Sequence, residues 1–302
     1  MRALLRHPAR AAVAGAIALA FSAILYRTAD VSPETGAFFR CLYALPALRL
    51  VVRAEERLIG PRPRALRLPA YVAGAFFAAD ILLWHHAIEA VGAGLATVLG
   101  NTQVVLVGLI AWALFRERPA AAALAAIPIA MLGIVLISGV LEKGAYGDNP
   151  PLGVLFGLLT GIAYAGFLLT LRRGAGDHHR VAGPLFDATL ASTVLILPFG
   201  LVSGDLDLLP GLESQAWLVA LALSAQVVSW LLITVSLPRL PIVATSLLLT
   251  LQPAAAVVFA AILLGEDPSL LQLAGVVAIL AGLVVASVGR RSRAPAAVPE
   301  QA

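Results

Sequence analysis

Long apolar stretches separated by short polar segments make up most of this chain. The stretches approach the roughly 20 residues that an α-helix needs to cross a hydrocarbon core of about 30 Å. Their apolar residues run continuously instead of alternating with polar ones, which favours membrane helices over barrel strands. The predicted spans are Ala11–Leu25, Gly36–Leu50, Leu68–Ala90, Gly94–Phe115, Ala120–Val140, Leu152–Leu171, Val181–Val202, Ala216–Leu237, Ile242–Gly265 and Leu270–Val288. The pattern therefore predicts an all-α membrane protein with ten transmembrane helices.

The composition supports the membrane class. Hydrophobic residues make up 60% of the 302 residues and charged residues 13%, and the mean hydropathy is +0.93. A soluble protein of this length needs more polar side chains to cover its surface. The net charge of +4 is carried by short clusters at the ends of apolar runs, which argues against nucleic acid as a partner. The single cysteine, Cys41, is expected to pack inside a span and has no partner for an internal disulfide.

The basic residues indicate how the spans are oriented. With the N-terminus placed in the cytoplasm, only Arg27 and Lys143 of the 21 Lys and Arg residues fall outside, and Arg40 falls within a span. All the others fall on the cytoplasmic side, as the positive-inside rule requires. The sequence thus predicts a multi-pass protein of the inner (cytoplasmic) membrane with both termini in the cytoplasm.

The two halves of the chain repeat one another. A shift of 149 residues aligns the fourth and fifth spans with the ninth and tenth, and a slightly smaller shift pairs Trp84 with Trp230. The most informative matches of the first shift are Gln103 with Gln252, Glu117 with Glu266 and Pro119 with Pro268. Each half contains five predicted helices, so the second is inverted, and the halves are expected to exchange conformations in alternating access to a midplane site. We expect repeats at residues 1–143 and 150–290 and a disordered cytoplasmic tail at 291–302.

These features resemble a known family. The five-helix unit occurs twice, and Phe39 and Arg40 lie early in the second span. Leu-Phe-Arg-Glu ends two residues before Pro119, and Leu-Leu-Gly-Glu ends two residues before Pro268. In these respects the chain is similar to EamA-type transporters of the drug/metabolite transporter superfamily over nearly its whole length. The resemblance implies a ten-helix carrier, usually an exporter of amino acids or related metabolites. The first repeat departs from the pattern with Val104 where the second has Pro253, and no residue of the motif identifies the substrate.

The third span is the most polar and indicates a pathway through the membrane. It holds Asp80, Trp84, His85 and Glu89, with Asp80 near the bilayer middle and the others closer to the outer surface. Ionisable groups at such depths usually face an internal cavity. Arg40 in the second span lies at a comparable depth. It is expected to pair with Glu89 or with Asp80, or to bind the carboxylate of a substrate.

Asp80 and Trp84 share one helix face because they are four residues apart. A carboxylate beside an aromatic plane suits an ammonium group or an amino acid, and Trp230 supplies the symmetry-related ring. Packing of both tryptophans in the core is the alternative. Asp80 is also the candidate for proton coupling, because burial away from water favours the protonated form of a carboxylate.

Neutral polar groups complete the predicted pathway. Asn101 and Gln103 in the fourth span and Gln252 in the ninth offer hydrogen bonds to a polar substrate, or equally to neighbouring helices. Tyr164 in the sixth span is a further candidate for the lining.

Other residues carry expectations about packing. Glycines and an alanine at four-residue spacing in the sixth span predict close helix contact, and prolines within spans predict kinks. These residues are Gly153, Gly157, Gly161 and Ala165, and Pro128, Pro198 and Pro253. The fifth and tenth spans have almost no polar residues, so they should lie at the periphery against lipid or in a homodimer contact. The first two spans are short, so a polar or charged residue at their ends is expected to snorkel to the membrane surface.

Other classes of function fit the sequence less well. The sequence shows no serine–histidine–aspartate array, zinc signature or phosphate-binding loop, so it predicts no catalytic residues, no cofactor and no metal. His85 and His86 are adjacent and point about 100° apart on a helix, which prevents them from holding one metal together. A channel, a membrane-embedded enzyme and a receptor remain alternatives to a carrier of a small-molecule substrate.

Overall fold

The computed structural model describes residues 8–103, 121–137, 141, 144–175, 180–236, 249 and 251–288. The regular elements in these ranges are helices, which confirms the all-α prediction for them. They are α1 (Pro8–Ala20), α2 (Ser22–Ala29), α3 (Pro33–Ile59), α4 (Arg67–Val91), α5 (Ala93–Gly100), α6 (Ala121–Ile137), α7 (Pro150–Ala175), α8 (Ala182–Ser203), α9 (Leu212–Leu221), α10 (Trp230–Ser236), α11 (Leu251–Leu263) and α12 (Leu270–Val288). A 3₁₀ turn, Arg64–Leu66, precedes α4, and a π-helical segment, Ala222–Ser229, joins α9 to α10.

Among the residues that the structure describes, six helices are long and apolar enough to cross a membrane. They are Ala9–Ala29, Pro33–Ile59, Arg64–Val91, Pro150–Leu171, Ala182–Ser203 and Leu212–Val235, and shorter apolar helices occupy Pro128–Ile137, Leu251–Leu263 and Leu270–Gly282. The multi-pass membrane class is therefore confirmed. The count of ten spans and the inverted repeat stay predictions, because much of the predicted fourth span and the start of the ninth lie outside the described residues.

The first two spans are longer than expected. α3 has 27 residues, begins where the Ser32 hydroxyl accepts a hydrogen bond from the Thr35 N–H, and ends at Gly60 with a φ of 79°. The first span runs over 21 residues across a break at Phe21. The expectation that these spans are short was wrong, because apolar windows stop at charged residues while backbone hydrogen bonding continues past them.

Glycines set the closest helix contacts. A Cβ on Gly153 would lie 2.5 Å from the Val91 side chain, and one on Gly157 would lie 2.5 Å from Leu99. These contacts hold α7 against the end of α4 and against α5, and α4 packs more extensively on α7 than on any other described element. The packing role predicted for these two glycines is confirmed.

The helices of the predicted fifth and tenth spans pack against each other. A Cβ on Gly133 of α6 would lie 2.7 Å from the carbonyl oxygen of Gly275 on α12, and the reverse contact is equally close. Their other faces expose large apolar side chains, such as Met131, Leu132 and Val277. This arrangement agrees with a peripheral position for both helices. Proline lies within helices at the predicted Pro128 and Pro198, and also at Pro46.

Polar contacts join helix ends at both ends of the bundle. At the end where α3 stops and α4 and α8 begin, here called the arginine end, Glu55 Oε2 accepts hydrogen bonds of 2.9 Å from the N–H groups of Val181 and Ala182. Arg62 pairs there with Asp187 at 2.5 Å. Glu55 satisfies N–H groups at the start of α8 that have no partner within the helix, and Asp187 balances the charge of buried Arg62. Both acids therefore fix where α8 begins relative to α3.

At the opposite end, Glu266 closes the contact between α11 and α5. Its carboxylate accepts hydrogen bonds from the N–H groups of Ala93 at 2.5 Å and Gly94 at 3.1 Å. Burial raises the pKa of Glu266, and these two N–H donors act in the opposite direction. Its partner in the sequence repeat, Glu117, lies outside the described residues.

Candidate functional site

A cavity of about 40 Å³ lies among the middle portions of the helices. Its polar lining comes from six elements, and three aromatic rings lie beside it. The polar residues are Ser22, Arg40, Asp80, Thr97, Asn101, Thr160, Tyr164 and Gln252, and the rings are Phe77, Trp84 and Trp230. The cavity thus brings together seven of the ten predicted pathway residues. Trp84 and Trp230 both line it, as the repeat suggested.

Arg40 lies in this cavity under two aromatic rings. Its guanidinium carbon is 5.6 Å from the centroid of the Trp84 ring and 5.9 Å from that of Phe77. Only 3% of the residue is exposed. Phe77, Asp80 and Trp84 are three and four residues apart on α4, so one helix face presents both rings and the acid to Arg40.

Gln226 orients the guanidinium and was not predicted from the sequence. Arg40 Nε donates to Gln226 Oε1 at 3.3 Å, and Gln226 Nε2 donates to Thr189 Oγ1 at 3.0 Å. Gln226 is fully buried within the π-helical segment, whose wider turn changes the face on which a side chain emerges. A lone glutamine in the apolar eighth span was the available signal. With Nε engaged, the terminal Nη donors of Arg40 bond no other described residue.

Asp80 is the opposite charge of the cavity. It is 8% exposed and lines the same space as Arg40. Within the part of the chain that the structure describes, the Asp80 carboxylate makes no hydrogen bond and no ion pair within 4.0 Å. The predicted direct pair with Arg40 is therefore not formed, and the cavity has a cationic side and an anionic side that do not touch.

Glu89 lies outside the cavity. Its carboxylate pairs with Arg27 at 3.1 Å and accepts a hydrogen bond of 3.0 Å from the Tyr26 hydroxyl. The predicted pair of Arg40 with Glu89 was wrong. Nine residues separate Glu89 from Asp80, which is about 13 Å along a helix at 1.5 Å per residue, so Glu89 reaches the end of α2 instead.

His85 is a packing residue in this structure. It is fully buried, its Nδ1 lies 3.1 Å from the Pro33 carbonyl oxygen, and its ring stacks on Tyr26 with centroids 3.8 Å apart. It follows Trp84 directly, so it points to a different side of α4 and does not line the cavity.

Several buried polar atoms at the cavity have no partner among the described residues. They are Thr160 Oγ1, Trp230 Nε1 and Gln252 Oε1. A buried donor or acceptor without a partner costs about 1–3 kcal/mol, so such atoms point to a polar ligand. Gln103 is buried and does not line the cavity. Asn101 Nδ2 donates to the Thr97 carbonyl at 2.9 Å.

The fold and the cavity define a multi-pass membrane protein with a buried, charged site between its helices. The EamA-like transporter family matches residues 9–139 and again residues 151–288. The chain belongs to this family of membrane transporters. The two matched segments follow one another and are similar in length. They fall within the two predicted repeats, residues 1–143 and 150–290.

A relative and a solved structure are among the proteins similar to this chain. The uncharacterized transporter YxxF of Bacillus subtilis (strain 168) is 25% identical over 228 residues, which cover 75% of this chain and 72% of that protein. A solved crystal structure superposes with a TM-score of 0.65 at 16% identity, covering 93% of this chain and 98% of that one. The second likeness concerns the fold alone.

Proposed function

We propose that this transporter is an alternating-access carrier that exports amino acids or related small zwitterionic metabolites across the inner membrane. The observation that carries the proposal is that Arg40 and Asp80 line one buried cavity and do not contact each other. Buried charges in a membrane are costly unless a partner or ligand compensates them. A ligand with a carboxylate and an ammonium group would compensate both.

The chemistry of each side fits one group of such a substrate. The terminal donors of Arg40 form the fork that binds a carboxylate through two hydrogen bonds. Asp80 attracts the ammonium group, and the Trp84 ring beside it adds a cation–π contribution. Trp230 Nε1 and Gln252 Oε1 supply one more donor and one more acceptor.

The size of the cavity supports a carrier over a channel. A volume of about 40 Å³ has room for about two or three water molecules, so a metabolite enters only if helices separate. Polar contacts close the arginine end through Glu55 and Arg62, and the other end through Glu266. We propose that ten helices in two inverted halves, residues 1–143 and 150–290, open these ends in turn, with both termini in the cytoplasm.

The cargo and the role of Asp80 are tested together by transport in proteoliposomes. A panel of amino acids and related metabolites is offered in both directions, with and without a pH gradient. We expect net export to respond to the gradient in the wild type, because a proton on Asp80 competes with the substrate ammonium. Asp80→Asn should lower transport by about tenfold or more and remove its pH response.

Glu89→Gln on the same helix is the matched control. Its carboxylate is partly exposed and pairs with Arg27 away from the cavity, so transport should stay within about twofold of the wild type. If Asp80→Asn transports normally with an unchanged pH response, the proposed role of Asp80 is wrong. If no solute of the panel moves in either direction, the carrier proposal fails.

A homodimer through α6 and α12 is proposed on the exposed apolar faces of these helices, with lipid as the competing neighbour. Crosslinking in native membranes distinguishes the two, because only a dimer yields a crosslinked species of twice the mass.

A further inference from the structure

A second, larger cavity lies at the arginine end of the bundle. It measures about 220 Å³ and lies between the end of α3, the start of α4 and the start of α8. Arginines from three segments of the chain contribute to its wall: Arg49, Arg62, Arg67 and Arg180. This cavity is separate from the Arg40 and Asp80 site and does not share a lining residue with it.

The carboxylates of this cavity are already engaged. Glu55 accepts hydrogen bonds from the backbone N–H groups of residues 181–183. Asp187 pairs with Arg62 at 2.5 Å, and Glu56 lies 3.6 Å from Arg49. The Arg67 side chain is exposed, and its guanidinium makes no hydrogen bond or ion pair with another described residue. Cationic charge therefore remains available for an anion.

The cavity also borders the apolar surface of the protein. Arg67 is the first residue of α4, and its helix neighbours Leu68, Tyr71 and Val72 are 69%, 37% and 40% exposed. Tyr71 itself lines the cavity, as does Phe186 of α8. An exposed apolar face next to arginines and a tyrosine is typical of the level where lipid headgroups meet acyl chains.

We propose that this cavity binds the phosphate of an anionic phospholipid headgroup. Arginine recognises phosphate oxygens through paired hydrogen bonds, and basic pockets between membrane helices suit anionic headgroups. The flanking face of α4 receives the acyl chains. A free phosphate anion would make the same arginine contacts but no apolar ones. The experiment below therefore compares phosphate on a lipid headgroup with free inorganic phosphate.

The test uses the purified full-length protein in detergent. It is titrated with dioleoyl phosphatidylglycerol, dioleoyl phosphatidylcholine or inorganic phosphate. Native mass spectrometry counts the bound lipid molecules, and the unfolding midpoint is measured in parallel. We expect phosphatidylglycerol to bind and to raise the midpoint more than phosphatidylcholine does. The double substitution Arg49→Gln with Arg67→Gln should weaken phosphatidylglycerol binding by about tenfold, as removal of two arginines near an anionic headgroup predicts.

The matched control removes the same charge from the same end of the protein. Arg53 and Arg57 are exposed residues of α3 that do not line the cavity. The double substitution Arg53→Gln with Arg57→Gln should change binding by no more than about twofold. Arg49→Lys with Arg67→Lys keeps the charge without the paired hydrogen bonds and should restore part of the binding, which separates loss of the site from loss of folding.

Three results would overturn the proposal. Equal losses in the two glutamine double variants would show general attraction of lipid to the charged surface. Unchanged binding in the Arg49 and Arg67 variant would show that the cavity is not used. Equal stabilisation by inorganic phosphate and by phosphatidylglycerol would assign the site to a free anion and not to lipid. No readout depends on transport, so the result stands apart from the carrier proposal.

Discussion

At the scale of single residues, the central site depends on a chain of three side chains that keeps a buried cation in place. Thr189 accepts from Gln226, and Gln226 accepts from Arg40 Nε. A guanidinium has five donors in a fixed plane, so engaging Nε determines the direction of the remaining donors. The consequence is that Gln226, remote from the solvent, controls how Arg40 meets a substrate.

Replacing Gln226 with leucine should therefore impair substrate binding. Arg40 Nε would lose its acceptor and the guanidinium its fixed direction, so we expect KM to rise by roughly tenfold, which is about 1.4 kcal/mol of binding free energy. Gln215→Leu on α9, whose side chain contacts Tyr43 and the Pro210 carbonyl near the end of the bundle, is the control and should leave KM almost unchanged. Equal KM values for the two variants would contradict the positioning role.

The residue scale also shows how far sequence reasoning reaches. Helical spacing placed Asp80 and Trp84 on one face, and the structure brings both into the cavity. Spacing could not show that Glu89 meets Arg27, because that pairing depends on which helix ends lie together. Gln226 was missed because its direction depends on a π-helical turn, which hydrophobic periodicity does not reveal.

At the scale of helices, close contacts rely on glycine. The α6 and α12 pair meets at Gly133 and Gly275. Gly-to-Ala substitutions usually favour an isolated helix by about 0.5–1 kcal/mol, and the contact here reverses that sign because the new Cβ overlaps a backbone oxygen. A peripheral position for both helices was expected from the lack of polar residues in their spans, whereas their contact with each other was not and required the three-dimensional arrangement.

Gly133→Ala should lower the free energy of unfolding by about 1–3 kcal/mol, the usual cost of overpacking. Gly211→Ala is a suitable comparison, since a Cβ there meets nothing within 4 Å. Chemical unfolding of both variants in detergent measures the difference. A Gly133→Ala protein as stable as the wild type would show that α6 and α12 separate more easily than this contact implies.

Glu266 provides a second prediction for the helices, this time in pH dependence. Burial raises its pKa above the ordinary value of 4.5. Its contribution to stability is then fully present below that ordinary value and is lost as the pH rises through the higher folded-state pKa. Glu266→Gln keeps an acceptor for Ala93 and does not titrate.

The wild type should consequently lose stability relative to Glu266→Gln as the pH increases across that window. Unfolding midpoints of the two proteins over a series of pH values give the comparison. Parallel curves would mean that the N–H groups of Ala93 and Gly94 fully offset the effect of burial.

At the scale of the whole molecule, the sequence predicted the membrane class, the family and an alternating-access mechanism. Its hydropathy and composition identified an all-α membrane protein, and the family match agrees with the resemblance drawn from the Arg40 and Glu266 motifs. Alternating access concerns the relation between two states of the protein. Polar contacts at both ends of the bundle and a small cavity between them agree with a state that is closed to both sides.

Trans-stimulation tests the carrier mechanism most directly. Proteoliposomes loaded with an unlabelled transported amino acid are placed in a trace of the same labelled compound, and label entry is compared with that into unloaded vesicles. A carrier whose Arg40 and Asp80 site faces one side at a time accumulates label faster when loaded, and Arg40→Gln should abolish the acceleration. Equal label entry into loaded and unloaded vesicles would contradict alternating access and favour a channel.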